Sequence, residues 1–155
     1  MTVWRFLHTL ALFWLMAGIG NTVVPIWRAW FAETIEEKAL LLVEAQRNEA
    51  SWLLPGMIAT VFSGYAWAAS ADYNVITTGW LAALQALLAL DIFVFLPMMG
   101  VGLRRARMLA LQARKQGEIT DALRDALADN VPLVFGTLIT ATIPIMVWLS
   151  VFKPF

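Results

Sequence analysis

The chain has no cysteine, and among its 155 residues there is one histidine, His8. The first absence removes disulfides and thiolate metal sites, and the second removes any multi-histidine centre built by this chain alone. Charge is scarce too: Asp, Glu, Lys and Arg make up 14% of residues, against about 25% in soluble domains. Eleven basic and eleven acidic residues cancel, and no basic groove with interleaved aromatics marks a nucleic-acid surface. Apolar side chains take the vacant share, at 61% of the sequence. That composition belongs to a protein whose solvent is lipid.

Four apolar stretches, at about 4–30, 51–69, 80–103 and 131–151, approach the ~20 residues that span a bilayer. The expected fold is all-α, a four-helix transmembrane bundle forming one integral membrane domain over residues 1–155. The first stretch outruns the 7–15-residue apolar region of a signal peptide and ends in Trp-Arg-Ala-Trp, so it reads as a retained helix. Arg28, Lys38, Arg47, Arg104, Arg105, Arg107, Arg114, Lys115 and Arg124 fall in the first and third connections, leaving Arg5 and Lys153 for the other side. Basic residues mark the cytoplasmic face, which places both termini outside. Trp4, Trp67, Trp80 and Trp148 then lie at outer ends and Trp27, Trp30 and Trp52 at inner ends, as amphipathic rings prefer. Trp14 alone is left near the midplane.

The two inner connections read as helical cytoplasmic extensions between spans 1 and 2 and between spans 3 and 4. The first, "ETIEEKALLLVEAQRNEA", is rich in helix formers; the second opens with "RRARMLALQARK", breaks at Gly117 and resumes behind Thr120 as N-cap, with Ile119, Leu123 and Leu127 four apart. Pro132 suits the first turn of the last span. These arms serve either as solvated, headgroup-touching faces or as docking surfaces. No internal repeat is apparent.

Helices in lipid associate through small and hydroxyl-bearing residues. In the first span Trp14, Ala17, Gly18, Asn21, Pro25 and Arg28 form such a stripe; Gly56, Thr60, Ser63, Gly64 and Trp67 form one in the second, and Gly136, Thr137, Thr140, Ala141 and Pro144 in the fourth. The third span carries Asp91 near the bilayer centre, where a carboxylate left to lipid costs at least ~2.5–3.5 kcal/mol. Depth counting sets Trp14, Thr60, Asp91 and Thr140 at one level, a candidate buried polar layer with Trp14 inside the bundle. Asp91 is then a polar staple, a proton- or ion-handling group, or the partner of a charge on another subunit. Ala82, Ala86 and Ala89 lie on the opposite face of that span and suggest contact beyond the bundle. His8, about ~6 Å from the outer end by helical rise and off the Trp14 stripe, is an interfacial hydrogen-bonding residue, a haem ligand or a copper ligand.

Two separated segments, "LHTLALFWLMAG" with His8, Trp14 and Gly18 and "IMVWLSVFKPF" with Phe152, Lys153 and Pro154, resemble an uncharacterised bacterial family of small four-helix integral membrane proteins. That family is distantly similar to the copper-resistance D membrane domain and to the haem-binding, four-helix protoporphyrinogen oxidase. The resemblance implies the bacterial inner membrane and, at His8 with Trp14 nearby, a haem b or copper site.

Three functions follow as expectations. The first is a non-enzymatic subunit or scaffold packed with other membrane-protein subunits or with copies of itself, favoured because no convergent acid, base, nucleophile or ligand set is visible. The second is a haem-binding redox enzyme using His8 and Trp14. The third is a small proton-coupled transporter using Asp91 with Thr60 and Thr140.

Overall fold

A computed structural model describes residues 3–154, all of them helix, turn or connection with no strand among the described residues. Helix α1 runs Val3–Phe31. Thr34, in extended backbone, accepts the Glu37 N–H at 3.2 Å and starts α2, Ile35–Asn48, with Glu36 and Glu37 in its first turn. Those acids meet the positive end of the helix dipole.

Helix α2 does not stop at Asn48. A π turn, Glu49–Leu53, carries it into α3, Leu54–Ser70. The same happens again between α4, Gly79–Leu90, and α5, Leu96–Gln116, through a π turn at Asp91–Phe95, making one rod of 38 residues. Each π turn opens on an acid and is followed by a proline, Pro55 or Pro97. Proline lacks an N–H, and its ring presses on the carbonyl one turn back. Widening the preceding turn relieves that pressure, so the Leu54 and Leu96 N–H groups reach five residues back, to the Glu49 and Asp91 carbonyls.

Gly117, at φ 76°, ends α5. Thr120 caps α6, Asp121–Ala128, by accepting the Leu123 N–H at 3.3 Å. Asn130, also left-handed, turns the chain into α7, Val131–Phe152, with Pro132 in its first turn.

Helix α1 is the hub. It packs on α2, α3 and α7, while α7 in turn packs on α4 and α5. The α1–α3 approach is backbone on backbone: a Cβ at Gly18 would fall 2.8 Å from Leu53 Cα, and one at Gly56 3.0 Å from Leu15 Cα. Beyond the apolar stretches, α2, the end of α5 and α6 build a second, alanine-rich core in which Ala39, Leu42 and Ala45 meet Leu103, Ala106, Ala110 and Ala113. The Trp30 indole donates to the Leu127 carbonyl and Asn130 Oδ1 and pins the end of α1 to this extension.

Three helical stretches, 3–31, 79–116 and 121–152, are long and apolar enough to cross a bilayer. The 17-residue α3 is shorter, about ~26 Å by helical rise. Opposite ends of the bundle differ in character. Lys153 donates to the Tyr73 hydroxyl and lies over the Trp80 ring, and Arg5 lies over Trp67, whereas α2, α6 and the arginines of α5 gather at the other end.

The buried face of α1 departs from the expected stripe. It comprises Ala11, Leu15, Gly18, Ile19, Thr22, Val23, Pro25, Ile26 and Ala29, so it keeps Gly18 and Pro25 of that stripe but is centred roughly 100° around the helix from the Trp14–Arg28 line at 3.6 residues per turn. Trp14 is 42% exposed rather than enclosed, and Ala17, Asn21 and Arg28 also face outward. The reason is steric. Close passage at Gly18 and Gly56 fixes the seam, and Trp14 is left on its flank with only its backbone against Gly56.

Candidate functional site

The helix α1 seam that excludes Trp14 includes His8. The imidazole lies over Gly64, where a Cβ would come within 3.1 Å of its Cε1, and its ring centroid is 5.6 Å from that of Trp67. His8 Nδ1 is 3.1 Å from Ser63 Oγ, and Ser63 donates its single proton to the Ala59 carbonyl at 2.6 Å. With that hydroxyl proton committed, the hydrogen between His8 and Ser63 belongs to Nδ1, and Nε2 of the neutral ring keeps its lone pair. Such an oriented ring can accept a hydrogen bond or serve as one metal ligand. Its neighbours Ser63, Gly64 and Trp67 supply no second strong ligand, so the surroundings do not fit a copper cage. Among the described residues no group of three or more His, Asp or Glu could hold a metal ion. Trp14 is six positions on and about 120° around the helix by the same geometry, so it does not share the His8 face.

The expected polar layer divides into separate parts. Asp91, 2% exposed, is hydrogen-bonded through Oδ2 to Thr142 Oγ1 at 2.8 Å, and the same hydroxyl lies 2.7 Å from the Ile139 carbonyl. Thr140, two positions back and therefore on the other side of α7, is exposed and returns its proton to the Gly136 carbonyl. Thr60 is buried beside His8, and its hydroxyl has no partner. The structure thus brings neither Thr60 nor Thr140 into hydrogen bonding with Asp91, and Trp14 is not enclosed with it. Residue counts carry no azimuth, which depended on the α1–α3 seam.

At the basic end, Glu49 is buried over Gly100, where a Cβ would lie 2.5 Å from Glu49 Oε1 and 3.0 Å from Arg104 Nη2. Burial pushes the Glu49 carboxyl above its ordinary range, and the Arg104 charge opposes this. Nearby, the buried Lys38 ammonium donates to the Ala29 carbonyl at 3.0 Å and satisfies the C-terminal end of α1. Its own burial lowers its proton affinity, with Glu37 opposing. Glu49 and Thr142 were not singled out from sequence, whereas Ser63, Gly64 and Trp67 belong to the stripe read on the second span and meet His8. A signal for two of the sites was present: "EASWLLP" and "DIFVFLP" each place an acid six residues ahead of a proline.

A lateral groove of about 660 Å³ opens between α3 and the 92–96 turn, lined by Leu54, Ile58, Phe62, Tyr65, Ile92 and Leu96 among others. One end is bridged, by the Tyr65 hydroxyl donating to Gln85 Oε1 at 2.7 Å. Helix α4, on the same side, has no buried residue, and Ala86 and Ala89 face outward.

A family model described as "Predicted integral membrane protein (DUF2269)" matches residues 2–154. No curated protein and no solved structure matches, and the likeness to the copper-resistance D domain and to protoporphyrinogen oxidase draws no support from these comparisons.

Proposed function

The chain belongs to this DUF2269 family of predicted integral membrane proteins, and from that premise we propose that it is a non-enzymatic membrane subunit that receives a transmembrane helix of another chain in the α3 groove. The observation that carries the reading is the pattern on α3: Leu54, Met57, Ile58, Val61, Phe62, Tyr65 and Ala66 all line the groove at the alternating three- and four-residue spacing of a helix-packing seam. That seam runs for twelve positions, about 18 Å; Ile92 and Leu96 flank it and Met57 is buried along one edge, while Ile58 and Phe62 are left exposed. The outward alanines of α4 offer a second surface on which a helix backbone can approach closely.

In this reading four helices, α1, α3, the α4–α5 rod and α7, cross the bacterial inner membrane. Both termini lie outside with Arg5 and Lys153, and the α2–α5–α6 extension with its eight basic residues lies in the cytoplasm. The absence of native cysteine makes the test clean. A photoreactive maleimide is attached to Ile58→Cys, Phe62→Cys or, on α7, Val147→Cys in native membranes. The groove positions are expected to share one polypeptide adduct of discrete mass, and Val147→Cys to give lipid adducts. Lipid adducts alone from all three would overturn the proposal.

A further inference from the structure

Asp91 opens the π turn midway along the α4–α5 rod, 2% exposed, and so is enclosed by its own chain rather than offered to a partner's charge. Its contacts contain a proton-counting problem. Thr142 Oγ1 makes two short contacts, 2.8 Å to Asp91 Oδ2 and 2.7 Å to the Ile139 carbonyl, and a threonine hydroxyl has one proton. Beside an ionised Asp91, both neighbours of that hydroxyl are acceptors, and one short contact contains no hydrogen. Beside a carboxylic acid the count closes: Asp91 Oδ2–H donates to Thr142, and the Thr142 O–H donates to Ile139.

The elements packed on this turn supply no counter-charge. Neither α4 nor α7 contains a titratable side chain, and the first on α5 is Arg104, thirteen positions away or about ~20 Å. The second oxygen, Oδ1, is buried with no hydrogen-bond partner. For the carbonyl oxygen of a neutral acid that loss is modest. For an unpaired anion in this setting it is severe.

We infer that Asp91 is an intramembrane proton-binding site that holds its proton at neutral pH, with the Thr142 hydroxyl accepting that proton's hydrogen bond and donating its own to the Ile139 carbonyl. The ligand is the proton itself, and the site is independent of the α3 groove.

Infrared spectra of the protein reconstituted in lipid test this directly. At neutral pH the wild type should show a carboxylic-acid C=O band that moves on exchange into D2O and is lost in Asp91→Asn but kept in Glu49→Gln. Thr142→Val, which removes the acceptor while leaving the acid, should shift that band to higher frequency, and Thr142→Ser should restore it. The absence of an acid band in the wild type would overturn the inference. So would a band unmoved by Thr142→Val, even if Asp91→Asn failed to fold.

Discussion

Glu49 shows how one residue couples this fold to pH. Burial raises its carboxyl above the ordinary value of 4.5, with Arg104 opposing. The folded chain therefore holds the proton more tightly than the unfolded chain does. Stability from this group is present below pH 4.5 and is lost as pH rises through the folded value. Thermal unfolding in detergent should show the wild type losing ground to Glu49→Gln as pH rises from below 4.5 towards neutrality, with Arg104→Gln enlarging the loss. Parallel curves for wild type and Glu49→Gln would show that the buried carboxyl is not felt. His8 belongs to the same scale. Its position near the start of the first helix was legible in the sequence, but its place on the α1–α3 seam was not, because that depends on Gly64 leaving room for the ring.

At the level of elements, glycine position outranks polarity. A Cβ at Gly18 meets the Leu53 and Trp52 backbone below 3.0 Å, while one at Gly20 meets nothing within 4 Å. Gly18→Ala should therefore destabilise by about 1–3 kcal/mol through overpacking. Gly20→Ala should raise stability by up to about 1 kcal/mol through helix propensity. Calorimetry in detergent that ranks the two variants equally would refute a seam set by backbone contact. Local punctuation was readable: Gly117, Thr120 and Pro132 end, cap and start helices as their chemistry requires. The face of α1 was not, since its polar stripe and its packing seam differ and only the partner helix selects between them. The two π turns were also missed. Each needs an acid and a proline to be read together across six residues, a spacing longer than one helical turn.

For the whole molecule, the four apolar stretches and the two helical extensions between them were visible in hydropathy and charge alone, and the family match over residues 2–154 agrees with an integral membrane protein. What hydropathy could not reveal is that the bundle is open on one side, because lipid-facing and helix-facing apolar residues look alike when both are surrounded by hydrocarbon. The open α3 seam is the basis for reading the protein as a subunit, and its most direct test is the mass of the particle released from native membranes into lipid nanodiscs. The account predicts a particle heavier than the 17.3 kDa chain that reverts to the single chain when Ile58 and Phe62 are both changed to alanine. Release of the wild type as a lone 17.3 kDa chain would contradict it.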